Sequence, residues 1–295
     1  MLSPIRILLQ TTLLPTENDW CINRFSLLHR YLGSLSAEDG HPLCSVTARD
    51  RHPDETGNDP VLSTLDRADF DELWLFALDL GEGLSAEDAA GIQRFYQQGG
   101  GLLTTRDHQD MGISLLPLGE IGAFHYFHSQ NLDPDETRCC IDDPYTAYIS
   151  FPNYHSGRNG DYQSITPVAP LHDLLKTPTG EAIALFPSHP HEGGVGVPAG
   201  VSHAQVIATG KSAVSGREFN LAVAGDRPGG NSAATPGRIV AQSTFHHFVD
   251  YNWDSAMGCP TFVDEPPGSG MTHKPQALQD IHTYVRNLAL WLRPV

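Results

Sequence analysis

The chain has 295 residues and a formal charge of −17, with 18 Lys and Arg against 35 Asp and Glu. Without a basic block it is a poor match for nucleic acid, because phosphate binding needs clustered cations. Apolar residues at 40% and charged residues at 18% suit a folded domain with a real core, and no apolar stretch reaches membrane-spanning length.

Ile5 to Gln10 is a strand-like segment and reads as the first strand of the sheet. It lacks the charged start, long apolar run and small-residue cleavage site of a signal peptide. Thr16 to Asp19 reads as a capping box, and Cys21, Phe25, Leu28 and Leu32 recur behind it at helical spacing. The turn before them, 11–18, falls at the carboxyl end of the first strand and is expected to line a site. Leu43 to Ala48 is a second strand, and Arg49 to Pro60 is an exposed loop broken by Pro and Gly. Leu73 to Leu78 is continuously apolar, which suits a strand buried on both faces of a parallel sheet. Ser85 to Asp88 is a second capping-box pattern, opening a helix with Ala89, Ile92, Phe95 and Tyr96 on its apolar side. Gly99 to Gly101 stops it, and Leu102 to Thr105 is the next strand. This β-α-β unit should cross over right-handed. Arg106, Asp107, His108 and Asp110 follow, at a carboxyl strand end, where sites of open parallel sheets gather.

Residues 111–180 have few periodic runs and much Pro, Gly, Asn and Asp. Their aromatics (Phe124, Tyr126, Phe127, Tyr145, Tyr148, Phe151, Tyr154) argue for an ordered cap inserted over the carboxyl edge rather than disorder. Ala182 to Phe186 is a strand, followed by His189, His191 and Glu192. Ala204 to Ala208 and Phe219 to Ala224 are strands joined by a Gly/Ser turn. Asp226 to Pro236 is a Gly-rich loop. Arg238 to Ser243 is a strand that runs into His246, His247 and Asp250. Pro260 to Pro275 should wrap the surface, and a last helix carries Leu278, Ile281, Val285, Leu288 and Leu292 on one face. The expected fold is one α/β domain over 1–295: a doubly wound, mostly parallel, flavodoxin-like sheet with a loop-rich cap at about 111–180.

The apolar strand, acid-capped helix, Gly99 to Gly101, second apolar strand and sharp polar turn resemble the class I glutamine amidotransferase-like superfamily. Trehalose-utilisation-type proteins, with a similar triple glycine, are the branch it resembles most. Gly237 to His247 also matches, where the superfamily places a strand ending in a functional histidine. The resemblance puts the amidotransferase cysteine nucleophile at the turn occupied here by Arg106, and none of Cys21, Cys44, Cys139, Cys140 and Cys259 lies there. A guanidinium is neither nucleophile nor base, so glutamine amidotransfer is not expected. Five irregularly spaced cysteines fit reduced thiols in a cytoplasmic protein.

The 15 histidines are the unusual feature, and three strand-end turns carry them beside acids. Imidazole with carboxylate is the ligand chemistry of a divalent transition metal such as zinc, iron or manganese, although no named zinc signature occurs. His189, His191 and Glu192 are the expected metal ligands. Asp107, His108 and His246 are the expected acid/base residues. Neighbours on a strand point to opposite faces, so one of His246 and His247 should reach the site, and the superfamily resemblance implies that it is His246. Arg106, His125, His155 and Arg158 are expected to bind substrate, Arg158 by clamping a carboxylate or sugar hydroxyls. The plain alternative is an ion-paired turn at Arg106, Asp107 and Asp110 and hydrogen-bonded structural histidines. Two functions follow. One is a hydrolase or lyase acting on a small polar, carbohydrate-like substrate without a nucleotide cofactor. The other is an amidotransferase-like module that lost its nucleophile and binds a ligand or partner. A small molecule is the expected partner, with no nucleic acid and no membrane, and a homo-oligomer is left open.

Overall fold

Four short segments near the start of the chain become adjacent strands: β1 (Ile5–Thr11), β2 (Cys44–Arg49), β3 (Glu72–Phe76) and β4 (Gly101–Thr105). After them come β5 (His125–Tyr126), β6 (Tyr162–Ser164), β7 (Thr166–Pro167), β8 (Leu185–Pro187), β9 (Gly194–Val195), β10 (Ala204–Lys211), β11 (Glu218–Gly225) and β12 (Ile239–Gln242). The computed structural model describes residues 3–37, 39–139, 141–142, 146–227 and 235–294. Cys140, Tyr145 and positions 228–234 of the Gly-rich stretch lie outside the described residues.

Eight strands form one mixed sheet in the order β2-β1-β3-β4-β12-β11-β10-β7. From β2 to β12 every pairing is parallel, with Leu73 opposite Leu102 and Leu103 opposite Val240. From β12 onward the pairings are antiparallel. The parallel part has the doubly wound order, so the carboxyl ends of β1, β3, β4 and β12 open on the same edge. β8 departs from the expected plan: it pairs antiparallel with β6, off the main sheet. Residues 111–180 also do more than cover an edge, because β7 lies within them and completes the sheet beside β10.

The helices are α1 (Ser26–Ser34), α2 (Pro60–Ser63), α3 (Ala86–Gln97), α4 (Glu120–Ala123), α5 (Asp250–Trp253), α6 (Gly270–His273) and α7 (Pro275–Leu292). Side chains alternate across each strand. Ile7, Leu9, Trp74 and Phe76 therefore pack with Leu28 of α1 and Ile281, Val285 and Leu288 of α7. Leu8, Leu73 and Leu75 face the other way, into a core with Ile92 and Phe95 of α3. That is why β3 reads as an unbroken apolar run. Among the described residues no helix is long and apolar enough to cross a membrane.

The capping box of α3 forms as expected. Ser85 Oγ accepts from Asp88 N at 3.0 Å, and Asp88 Oδ2 accepts from Ser85 N at 3.0 Å. Ser85→Ala should lower unfolding stability by about 1 kcal/mol in a urea titration. The Thr16 to Asp19 box does not form. The chain enters α1 through a 3-10 turn, Ile22–Phe25, with no side-chain cap from Cys21. Carboxylates from far along the chain serve its orphan N–H groups instead. Asp50 Oδ1 accepts from Ile22 N at 2.7 Å, and Asp250 Oδ1 accepts from Leu27 N at 2.7 Å.

Candidate functional site

The carboxyl ends of β1, β3, β4 and β12 lead into one cavity of about 490 Å³. The turn after β4 delivers Asp107 and His108, the loop after β8 delivers His189 and His191, and the turn after β12 delivers His246. One ligand-type atom from each of Asp107, His189 and His246 lies within 4.8 Å of the other two, and all three residues are buried.

Local structure sets each side chain. Phe245–His247 is a 3-10 turn capped by Thr244, whose Oγ1 accepts from His246 N at 3.1 Å and donates to Asp107 Oδ1 at 2.8 Å. This turn, not strand alternation, sends His246 to the cavity and His247 into the core. Two amides then fix the ring tautomers, as assigned from the hydrogen-bond network. Asn252 Nδ2 donates to Ser188 O at 2.8 Å and to Asn159 Oδ1 at 3.0 Å. Its Oδ1 is left to accept from His246 Nδ1 at 3.0 Å, and Asn159 Oδ1 accepts from His189 Nδ1 at 2.9 Å. Both rings thus carry their proton on Nδ1 and present Nε2 as a lone pair. His189 Nε2 lies 3.3 Å from Asp107 Oδ1 and makes no hydrogen bond. The rings stack at 3.5 Å and 11°.

Electrostatics agrees with this reading. Burial holds the His189 imidazole down to about 3. Burial, then the neighbouring His189, holds His246 well below the ordinary histidine range. Asp107 is held ionised by its donors, Thr244 Oγ1 at 2.8 Å on Oδ1 and His108 Nδ1 at 2.8 Å on Oδ2. Two buried lone pairs facing an ionised carboxylate form a ligand set that suits a cation. This is a two-histidine, one-carboxylate group of the kind that binds zinc or iron.

The group combines the two sets expected from the sequence: His189 comes from the expected metal ligands, Asp107 and His246 from the expected acid/base residues. His108 stands beside it, its Nδ1 2.8 Å from Asp107 Oδ2. His191 lines the same cavity, 5.2 Å from the His108 ring, with Nε2 3.3 Å from Glu265 Oε1. Glu192 turns away. It is fully buried behind the site, bonded to Ser156, Gln163, Ser243 and His247, so it is not placed to hold the same ion.

None of Arg106, His125, His155 and Arg158 lines the cavity. Arg106 is fully buried beneath it, with its guanidinium carbon 4.4 Å over the Phe127 ring and Nη2 donating to Gln109 O. Burial pulls its pKa down to about 9. It cannot clamp a ligand from there. His125 is spent on Thr104 Oγ1 at 2.9 Å, His155 is buried outside the cavity, and Arg158 pairs with Asp161 at 3.3 Å.

Thr244, Asn252, Trp20 and Glu265 belong to the site without any expectation from the sequence, while Asn159 falls in the polar stretch Tyr154 to Asp161 that also holds the expected Arg158. Trp20 meets His246 edge-on at 4.8 Å, just beyond the turn expected to line a site. Residues 262–265, expected on the surface, form the outer wall of the cavity. Asn18 and Thr261 bring that segment in by exchanging two hydrogen bonds of 2.8 Å each.

Fold and cavity together define an open α/β protein with its candidate site on the carboxyl edge of the parallel strands. No model of a known protein family matches the sequence, and no curated protein matches it. Solved structures do. A protein of Parabacteroides merdae ATCC 43184 described as thua-like aligns over 98% of this chain and 90% of its own, at 16% identity and a TM-score of 0.52. A cytoplasmic protein of Salmonella typhimurium aligns over 98% and 99%, at 9% identity and a TM-score of 0.49. The glutaminase domain of a Trypanosoma brucei CTPS aligns over 96% and 94%, at 14% and 0.44. The chain therefore has the fold of a thua-like protein, as its resemblance to the amidotransferase-like superfamily implied.

Proposed function

We propose that this protein is a metal-dependent hydrolase or lyase acting on a small, hydroxyl-rich substrate. The observation that carries the reading is the convergence of Asp107, His189 and His246, with both histidine lone pairs fixed toward the carboxylate by Asn159 and Asn252. A divalent transition ion held there would lower the pKa of bound water and supply the nucleophile that the missing cysteine does not. Asp107 Oδ2 holds His108 Nδ1, so the other ring nitrogen of His108 faces the cavity as the proton-transfer group.

The walls favour the same substrate class. Trp20, Tyr148 and Phe262 offer flat apolar faces. Asp19, Asp264 and Glu265 offer acceptors, and no Lys or Arg lines the cavity among the described residues. An uncharged polyol matches these groups better than a phosphate or carboxylate does. The cavity volume of about 490 Å³ falls among small-molecule sites, roughly 300–1,000 Å³.

The test is metal analysis of protein purified without added metal, followed by a screen for hydrolysis and elimination on neutral polyols and sugars before and after chelation. About one ion per chain and chelator-sensitive turnover are expected. His108→Ala should keep the ion and lose roughly 10²–10⁴-fold in kcat. Protein that takes up no ion, and whose His108→Ala and His246→Ala forms match wild type in every assay, would sink the reading.

A further inference from the structure

Glu192 is an acid with no exposed surface in a domain that has water-facing acids to spare. Burying a carboxylate is costly unless it is fully hydrogen-bonded. Its partners are therefore informative. Ser156 Oγ donates to Oε1 at 2.8 Å and also accepts from His189 N at 2.9 Å. Ser243 Oγ donates to Oε2 at 2.7 Å, and the next residue, Thr244, donates to Asp107. His247 takes its Nδ1 hydrogen bond from Gln242 Nε2 at 2.8 Å, leaving Nε2 to donate to Glu192 Oε1 at 3.1 Å. The residue before it is His246. His189 is one hydrogen bond and His246 one residue from a group that Glu192 holds, and Asp107 is one residue and one hydrogen bond from such a group.

The backbone beside it repeats the pattern. Gly193 N donates to Ser243 O at 3.1 Å, and a Cβ at Gly193 would lie 2.3 Å from Asp107 O and 2.6 Å from Ser243 O. The 192–193 dipeptide is where the β4 corner, the β12 corner and the His189 loop meet.

We propose that Glu192 is the positioning residue of the triad: a buried carboxylate that sets the spacing of Asp107, His189 and His246 without touching the ion. The proposal rests on the metal reading above. Partners outside the ligand shell typically set metal affinity by roughly 10–100-fold.

The experiment uses full-length, metal-stripped wild type and Glu192→Gln, each titrated with Zn²⁺ by calorimetry and with Co²⁺ by visible absorption, with Tm measured alongside. The amide is nearly isosteric but cannot accept from all four donors. The expected result is a roughly 10–100-fold weaker Kd and a changed Co²⁺ spectrum. A lower Tm with Kd and spectrum unchanged would mean a purely structural carboxylate and would overturn the proposal. If Glu192→Gln does not fold, Ser243→Ala decides, since it removes one of the four hydrogen bonds: a several-fold weaker Kd supports positioning, and an unchanged Kd overturns it. Wild type that binds neither ion overturns the metal reading itself, a result distinct from a tight wild type matched by a tight variant.

Discussion

Asp107→Asn protein is expected to hold no ion and to turn nothing over. The carboxylate serves two sides at once. Oδ1 faces His189 Nε2 at 3.3 Å and accepts from Thr244, while Oδ2 holds His108. An amide keeps the volume but has one acceptor atom in place of two. If its oxygen keeps Thr244, its nitrogen faces His108 Nδ1–H, donor against donor. If it flips, the nitrogen donates to His189 and occupies the lone pair meant for the ion. Metal affinity should fall well beyond the roughly 10–100-fold that outer partners are worth, and His108 loses its anchor in the same stroke. Calorimetry and metal content measure the first effect, and single-turnover rates at saturating metal measure the second. An Asp107→Asn protein that retains its ion would remove Asp107 from the ligand set.

Acid should destabilise the metal-free protein steeply. His125 is fully buried, and burial, then Arg106, holds its imidazole down to about 3. In the unfolded chain a histidine titrates near ~6.5. Between those values the unfolded state binds a proton that the folded state refuses, so stability falls as pH falls. The slope for one such group is about 1.4 kcal/mol per pH unit. His282, pulled down to about 4 by burial, acts in the same direction more weakly because it is less enclosed. Urea unfolding of chelated protein at pH 7, 6, 5 and 4 should show the loss. His125→Asn should make the profile shallower by up to that slope while keeping a polar partner for Thr104. An unaltered slope would show that His125 takes up its proton without unfolding.

Much of the fold was legible because its signals are local. The unbroken run in β3, the Ser85–Asp88 box and the glycines before β4 each act within a few residues, and each behaves as read. The capping box at Thr16 misled because α1 takes its caps from Asp50 and Asp250, which no local pattern encodes. At the site, the histidine-bearing corners could be picked out by their position after strand-like runs. Their division of labour could not. Glu192 next to His191 looks like a ligand until its hydrogen bonds are counted, and those partners sit 36 and 51 residues away at Ser156 and Ser243. Arg106 looks like an anion clamp until Phe127 and the Gln109 carbonyl are seen to absorb it. Asn252, in the short helix α5, carries no local signal, since only its contacts with Asn159, Ser188 and His246 give it a role.

β12, beside β4, is the last in chain order of the strands in the parallel half of the sheet. His246 follows that strand, so a nascent chain still on the ribosome carries Asp107 and His189 long before their companion emerges. The loop closure that joins them is also the slow kind, between segments distant in sequence. If the proposed ion binds at this group, its full ligand set exists only once β12 has paired with β4.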